Sequence, residues 1–247
     1  MTAARSRTDP TARAGHVDVW ATALDPAPAA LARLRGLLSE DEAARAARFH
    51  FERDARRFTV ARAVLRELLG AYVGVAPRDV RFVYGARDKP ALASPLDDSQ
   101  LQFNVSHSGE IALYAVGLHR RVGVDVEQLR ALDDLEGLAA RNFSAAECRA
   151  LFALPPELRA PAFFACWTRK EAYIKAVGDG LAYPLNAFTV SLVPGEAARF
   201  VEIEGDPAAA QRWTLQAIDV RSGYEAAVAV DGPATVTLRG DWQEPTS

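Results

Sequence analysis

Residues 122–127 read VGVDVE, in which small and apolar residues alternate with Asp125 and Glu127. The alternation predicts a β-strand that carries both acidic residues on one face and the valines on the other. The Cα atoms of Asp125 and Glu127 then lie about 6–7 Å apart. Two carboxylates at that distance repel by about 2–3 kcal/mol at an effective dielectric constant near 20. The strand therefore has two interpretations: a solvated charged face, or two carboxylates that share a cation.

The composition of the whole chain is that of a globular protein. Of its 247 residues, 49% are hydrophobic and 25% are charged, with a net charge of −3. A general nucleic-acid binder is not expected, because the chain has no strong positive charge. No segment approaches the roughly 18 uninterrupted apolar residues of a membrane span.

The ends and the cysteines point to an ordinary intracellular protein. Residues 1–15 have no apolar segment, which predicts a disordered tail and not a secretory signal. Cys148 and Cys166 have no metal-like spacing, and we expect both to be unpaired thiols in a reducing cytoplasm.

Strand and helix patterns alternate along the chain in two runs. The first run predicts a strand at 16–24, helices at 31–49 broken near Gly36 to Ser39, a helix at 53–69 that ends at Gly70, a strand at 79–85, loops at 89–100, and strands at 101–108 and 110–118. The second run predicts the strand at 122–127, helices at 132–154 broken around 141–144, a helix at 157–177, and five strands from AFTVSLV to ATVTLRG.

An internal repeat suggests that the two runs are related. The segment SGEIALYAVG at 108–117 resembles SGYEAAVAVDG at 222–232, since each has Ser-Gly followed by an apolar strand. We therefore predict a duplicated α/β unit with halves at 16–118 and 121–240. A functional site is expected in the seam, the interface between these halves, where both contribute groups.

The helix FFACWTRKEAYIKAVGDGL at 163–181 supplies a third carboxylate. Glu171 follows Trp167 by four residues and shares its apolar face, and Lys175 lies one turn further. A surface Glu–Lys pair is the alternative interpretation. On a packing face, however, an isolated carboxylate is costly and needs a partner. Together with Asp125 and Glu127, Glu171 would complete a set of oxygen ligands for Mg²⁺.

The segment FNVSHSG at 103–109 and several arginines are candidates for an anion site. Ser106 and His107 cannot pair as nucleophile and base, because neighbouring side chains on a strand face opposite ways, and no G-x-S-x-G elbow occurs. They suit a phosphate cradle instead. Arg57 and Arg62 border an apolar helix stripe and are the best-placed basic residues for a partly buried phosphate contact.

Together, FNVSHSG, VGVDVE and WTRKEAYIK resemble the three motifs of the surfactin-type 4′-phosphopantetheinyl transferases, in order and in approximate spacing. The similarity extends from Ser39 to GLAYPLNAFTV, which is most of the chain. It implies an α/β (α+β) fold of two pseudo-symmetric halves with the active site in the seam. It also implies Mg²⁺-dependent transfer of 4′-phosphopantetheine from coenzyme A to a serine of an acyl or peptidyl carrier protein, with release of adenosine 3′,5′-bisphosphate, by a cytoplasmic monomer.

The resemblance also implies roles for individual residues. Asp125, Glu127 and Glu171 would bind Mg²⁺, and Lys175 would contact the phosphate and neutralise or protonate the leaving group. Ser106 and His107 would hold phosphate oxygens. The nucleotide and its 3′-phosphate would be lined by basic side chains: Arg45, Arg57, Arg62 and Lys89.

The base that deprotonates the carrier serine is open: Glu171 is the first choice, and Glu127, Glu147 or a metal-bound water are alternatives. Glu42 and Glu110 depart from the family pattern: relatives often have a lysine at the first position and sometimes a basic residue at the second. Two other functions compete with transfer. One is a non-catalytic module that binds coenzyme A or a carrier protein, and the other is a Mg²⁺-dependent phosphohydrolase.

Overall fold

The computed structural model describes residues 12–85, 89–178 and 183–242. Most of the tail expected at 1–15 lies outside these residues, as do the first two residues of the RDKP loop and 180–182 of GLAYPLNAFTV. None of the described helices combines the length and the apolar character that a membrane-spanning segment needs.

The described residues form a mixed α/β structure, as the sequence predicts. The strands are β1 (His16–Ala23), β2 (Phe82–Tyr84), β3 (Pro90–Leu92), β4 (Leu101–Ser108), β5 (Ile111–Leu118), β6 (Val122–Gln128), β7 (Phe188–Val190), β8 (Phe200–Ile203), β9 (Trp213–Ala217), β10 (Tyr224–Asp231) and β11 (Thr235–Asp241). The helices are α1 (Pro28–Arg35), α2 (Glu40–Ala46), α3 (Glu52–Val73), α4 (Leu135–Asn142), α5 (Ala145–Ala153), α6 (Pro156–Val177) and α7 (Pro207–Ala210).

Two sheets carry the fold. The first has the strand order β11-β1-β5-β4, in which only β11 and β1 pair in parallel. The second is antiparallel with the order β6-β10-β9. Strands β5 and β10, which carry the internal repeat, each lie inside their sheet. Strand β11 is the last strand of the second run but joins the first sheet, and the division into halves at 16–118 and 121–240 stays a prediction.

Three apolar clusters arrange the main elements in layers. Helix α3 packs on one face of the first sheet, where Leu68 and Tyr114 are buried. The other face of that sheet packs on the second sheet through residues such as Leu113 and Val124. Helix α6 covers the remaining face of the second sheet around Ala227. The two edge strands β4 and β6 therefore lie between α3 and α6.

Three local predictions differ from the structure. Helix α3 does not end at Gly70 but continues to Val73, and Gly74, with φ of 73°, follows it. Gly70 is required by packing, because a Cβ there would lie 2.7 Å from the carbonyl oxygen of Val75. The segment KPALAS is not all loop, since its residues Pro90–Leu92 form β3 and pair with β2. The strand predicted at 79–85 shrinks to the three residues of β2.

Candidate active site

Strands β4 and β6 lie side by side at the seam, and side chains connect them. Ser106 Oγ donates a hydrogen bond to Asp125 Oδ1 at 2.8 Å. Ser108 Oγ donates to Glu127 Oε2, also at 2.8 Å. The structure thus brings the SHS segment of one predicted motif against both carboxylates of another.

Helix α6 approaches β6 closely enough to bring the third motif to the same place. A Cβ on Gly123 would lie 2.1 Å from the carbonyl oxygen of Ala172 and 2.4 Å from the amide nitrogen of Ala176. Only glycine permits this approach. The turn of α6 that rests on Gly123 carries Glu171 and Lys175, which therefore lie over β6.

Lys175 and Asp125 form the central ion pair. Lys175 Nζ lies 2.6 Å from Asp125 Oδ1 and 2.9 Å from Ser106 Oγ. The Asp125 side chain is 5% exposed. Burial raises the pKa of Asp125, and the neighbouring Lys175 and Ser106 oppose that shift. Asp125 Oδ2 is buried and has no hydrogen-bond partner among the described residues.

Glu171 lies within electrostatic reach of the other two carboxylates. Its pKa is raised, first by burial and then by Asp125, whereas Lys175 lowers it; Glu127 adds a smaller upward shift. A carboxylate in this position holds a proton more readily than an exposed one. The position of Glu171 at the seam agrees with the prediction that this residue lies on the packing face of α6.

The chemistry of these carboxylates fits Mg²⁺, although their side chains are not grouped closely enough to form a metal cluster among the described residues. Within residues 12–85, 89–178 and 183–242, no three His, Cys, Asp or Glu side chains are grouped as metal ligands. Carboxylate oxygens are nevertheless the ligands that Mg²⁺ prefers. The buried Oδ2 of Asp125 is also an acceptor for which the described residues provide no hydrogen-bond donor.

Basic groups of the first sheet and α3 lie within electrostatic reach of the seam. The pKa of His107 is lowered, first by desolvation and then by Lys175 and Arg57, whereas Glu127 raises it. The His107 side chain is exposed and lies on the opposite face of β4 from Ser106. A lowered pKa favours the neutral imidazole, so the positive charge comes from Lys175 and Arg57, and the anion site stays a prediction.

Lys89 connects the β2–β3 hairpin to the end of α6. Its Nζ donates to the carbonyl oxygen of Lys175 at 2.6 Å. Burial lowers the pKa of Lys89, and Arg121 adds to the effect. Lysine at a helix C-terminus satisfies carbonyl groups that have no partner within the helix. Lys89 thus contacts the backbone of the residue that pairs with Asp125.

A cavity of about 640 Å³ opens beside Lys89. It lies between the β2–β3 hairpin, β4 and the C-terminal end of α6, and its lining includes Tyr84, Phe103, Arg121 and Val177. Aromatic, apolar and cationic side chains are therefore combined next to the seam.

Glu42 and Arg66 form a buried pair that the sequence did not reveal. Arg66 Nε donates to Glu42 Oε2 at 2.6 Å, and each side chain is 2% exposed. Arg62 Nε lies 3.7 Å from Glu42 Oε1, and its guanidinium packs over the ring of Phe58. The guanidinium of Arg45 packs over the same ring. Glu42 is therefore paired with two arginines of α3, Arg62 and Arg66.

Glu147 and Lys170 form a second buried pair, with the two groups 2.8 Å apart. Glu147 is 1% exposed, and its Oε1 accepts from the amide of Val190. Lys170 Nζ also donates to the carbonyl oxygens of Leu185 and Phe188. The Glu147 carboxylate therefore connects α5 to α6 as a buried structural group. Because its oxygens are already bound by Lys170 and the Val190 amide, Glu147 is no longer an alternative for the base that deprotonates the carrier serine.

The turn between β4 and β5 docks on the second sheet. Gly109 has φ of 56°, and a Cβ there would lie 2.5 Å from both Gln128 Oε1 and the Tyr224 hydroxyl. Glu110, the second departure from the family pattern, forms an exposed ion pair with Arg221 at 2.9 Å. The positive φ of Gly109 explains why glycine follows SHS, because other residues rarely adopt this left-handed conformation.

Comparisons with known proteins agree with these motifs. Residues 121–229 match the family model described as 4′-phosphopantetheinyl transferase superfamily, and residues 22–118 match the model for the N-terminal part of 4′-phosphopantetheinyl transferase. The 4′-phosphopantetheinyl transferase HetI of Nostoc sp. (strain PCC 7120) is 43% identical over 88% of this chain and 88% of its own length. The transferase Sfp of Bacillus subtilis (strain 168) is 28% identical over 83% of this chain and 89% of its own.

A solved structure, the holo-[acyl-carrier-protein] synthase of Thermotoga maritima, is more distant. It is 17% identical, covers 45% of this chain and 62% of its own, and has a TM-score of 0.34. This likeness is too low to support an argument about fold.

Proposed function

The chain belongs to the 4′-phosphopantetheinyl transferase superfamily, and from that membership we propose its complete reaction. The 4′-phosphopantetheine group of coenzyme A is transferred to a serine hydroxyl of an acyl or peptidyl carrier protein, in the presence of Mg²⁺, and adenosine 3′,5′-bisphosphate is released. The observation that carries the proposal is the meeting of Lys175, Asp125 and Ser106 at the seam, next to Glu171.

Transfer of this kind depends on positioning and on neutralising charge more than on covalent chemistry. Lys175 supplies a fixed cation at the seam and would bind the phosphate that becomes the leaving group, to which it can donate a proton. Asp125, Glu127 and Glu171 are the proposed Mg²⁺ ligands. Bound Mg²⁺ would polarise the pyrophosphate oxygens and offset their negative charge.

Glu171 is the proposed base. It would accept the proton of the carrier serine as that hydroxyl attacks the β-phosphorus of coenzyme A. A carboxylate works better as a base when its pKa lies nearer the working pH, and burial raises the pKa of Glu171 in that direction. Glu127 and a metal-bound water stay as alternatives.

Side chains from the first half would hold the nucleotide. Ser106 and His107 would bind phosphate oxygens: Ser106 accepts a hydrogen bond from Lys175, and His107 lies within electrostatic reach of the same ammonium. The proposed contacts of the nucleotide and its 3′-phosphate are Arg45, Arg57, Arg62 and Lys89. Of these, Lys89 borders the cavity of about 640 Å³.

We also propose that the protein is a cytoplasmic monomer. Both runs of strands and helices that form the seam belong to one chain, so a second copy is not needed to complete the site. Cys148 and Cys166 are free thiols, as expected in a reducing compartment.

Intact-mass spectrometry of an apo carrier protein tests the reaction. After incubation with the chain, coenzyme A and Mg²⁺, we expect the carrier to gain one phosphopantetheine, and EDTA should prevent the gain. Fatty-acid, polyketide and nonribosomal-peptide carriers should each be offered. No gain on any of them, with coenzyme A still bound, would favour the non-catalytic module. Release of phosphate or phosphopantetheine without an acceptor would favour the phosphohydrolase.

Substitutions test the metal ligands. Asp125→Ala and Glu171→Ala should abolish transfer while circular dichroism shows a folded chain. A matched control is Glu157→Ala, which removes an exposed carboxylate from the first turn of the same helix, roughly 20 Å from Glu171 along the helix axis. Near-normal transfer by either site variant would refute the assignment.

A further inference from the structure

We propose that Ser108 is a positioning residue that fixes the Glu127 carboxylate. It is the last of three polar side chains on β4, Asn104, Ser106 and Ser108, that set the register of β4 against β6. Neither the sequence motifs nor the family comparisons assign this role. The proposal deepens the proposed function and rests on it, because it concerns how one of the proposed Mg²⁺ ligands is oriented.

The three side chains replace a main-chain ladder. Strands β4 and β6 belong to different sheets. Residues at i, i+2 and i+4 of a strand share one face, and these three project together toward β6. Asn104 Oδ1 accepts from the amide of Val124 at 2.9 Å. Further along the same two strands, Ser106 contacts Asp125 and Ser108 contacts Glu127. A shift of β4 relative to β6 would break all three contacts.

Each serine binds one oxygen of a carboxylate. Ser106 donates to Asp125 Oδ1, and Asp125 Oδ2 is buried without a partner among the described residues. At Glu127, the hydrogen bonds from Ser108 and from Arg130 both reach Oε2. Neither of these two bonds uses Glu127 Oε1, which is the oxygen they leave for a ligand.

Of the two side chains that bind the Glu127 carboxylate, Ser108 has the shorter hydrogen bond and Arg130 the longer one. Its hydroxyl donates to Oε2 at 2.8 Å and accepts from the amide of Gln128 at 3.1 Å. Because the amide occupies an acceptor site on the hydroxyl oxygen, the proton is directed toward the carboxylate. Arg130 lies 3.5 Å away on a side chain that is 60% exposed, and such contacts constrain little.

Removing the Ser108 hydroxyl tests the role. Ser108→Ala should weaken binding of Mn²⁺, used as the probe ion and measured by electron paramagnetic resonance without substrates. Loss of a group that orients a metal ligand typically costs about 10–100-fold in affinity or activity. In steady-state transfer we expect kcat to fall with KM for coenzyme A unchanged, and Ser108→Thr should restore both kcat and Mn²⁺ binding.

Ser99→Ala is the matched control. Ser99 Oγ also makes one donated and one accepted bond, to the carbonyl oxygen of Leu96 at 2.6 Å and from the amide of Leu101 at 3.3 Å. It precedes the same strand but contacts neither carboxylate. We expect Ser99→Ala to bind Mn²⁺ as the unmutated chain does.

Three results would overturn the proposal: undetectable Mn²⁺ binding by the unmutated chain, unchanged affinity in Ser108→Ala, or an equal loss in Ser99→Ala. Failure of the proposed function is distinguishable from these. In that case the unmutated chain would load no carrier protein, whereas the Mn²⁺ comparison would still decide the role of Ser108.

Discussion

Lys175 Nζ lies 2.6 Å from Asp125 Oδ1, although the two residues are 50 positions apart in the chain. The ion pair joins α6 to β6 at the seam. It is asymmetric, since the Lys175 side chain is 28% exposed and that of Asp125 only 5%. The ammonium therefore offsets the cost of burying a carboxylate while it stays accessible to a ligand.

Lys175→Met should abolish phosphopantetheine transfer and reduce stability. The substitution keeps much of the side-chain volume but leaves Asp125 without its countercharge. Leaving one buried acceptor unsatisfied costs about 1–3 kcal/mol. Urea unfolding measures the stability, and mass spectrometry of the carrier measures transfer. Lys175→Arg, which keeps the charge, should lose less stability than Lys175→Met. Equal stability of the Met variant and the unmutated chain would show that the pair is energetically unimportant.

Gly123→Ala should destabilise the chain and weaken transfer together. The added Cβ would meet backbone atoms of α6, with the carbonyl oxygen of Ala172 at 2.1 Å, and these cannot rotate away. Overpacking typically costs about 1–3 kcal/mol or more, and the displaced helix would carry Glu171 and Lys175 away from β6. Thermal unfolding and carrier loading measure the two effects.

Gly117→Ala is a suitable comparison for Gly123→Ala. Gly117 also lies in a strand, but its added Cβ would meet the end of a side chain, Val17 Cγ2, at 3.1 Å. We expect a smaller loss of stability and unimpaired transfer. Equal losses of stability and transfer in the two variants would show that Gly123 is not needed for the close approach of α6 to β6.

Local pattern was sufficient for the elements that carry the site. Alternation in VGVDVE predicts that Asp125 and Glu127 share a face, and helical spacing places Glu171 on the packing side of α6; both interpretations agree with the structure. Long-range partners were not predictable in this way. The pairing of Glu42 with Arg66 depends on how α2 rests on α3, and a single sequence contains no signal for that contact.

The glycines show the same limit. A glycine after an apolar helical stripe usually ends the helix, which is why Gly70 was expected to end α3. In the fold, Gly70 accommodates the returning chain at Val75, and the helix ends one turn later. Likewise, Gly123 reads as an ordinary small residue of a strand until α6 is placed against it.

Lys170→Met should be among the most destabilising single substitutions in the chain. Lys170 is 0% exposed and pairs with Glu147, which is 1% exposed. Removing one member of a buried ion pair costs about 3–5 kcal/mol, because the other charge stays buried without a partner. Urea unfolding measures the loss. Arg149→Met, an exposed position two residues from Glu147 on α5, should change stability little, and a comparable loss there would contradict the explanation.

Glu225→Gln should stabilise the chain near neutral pH. Glu225 on β10 lies directly opposite Glu127 on β6, and like charges directly opposite each other in a sheet are destabilising. Burial also raises the pKa of Glu225 above its usual value of 4.5, with Arg169 opposing the shift. The folded chain therefore disfavours the ionised carboxylate more than the unfolded chain does.

The sign of the pH dependence follows from that difference. Well below the unfolded pKa of 4.5, Glu225 is protonated in both states and contributes no penalty. As the pH rises through the unfolded and then the folded pKa, the unfolded state loses the proton first, so stability falls. Glu225→Gln removes this loss. In EDTA-containing buffer its Tm should exceed that of the unmutated chain near pH 7, and the difference should close as the pH falls toward about 4. The exposed control Glu136→Gln should show no such pH-dependent gain. A lower Tm for Glu225→Gln near pH 7 would mean that Glu225 stabilises the seam through Arg169.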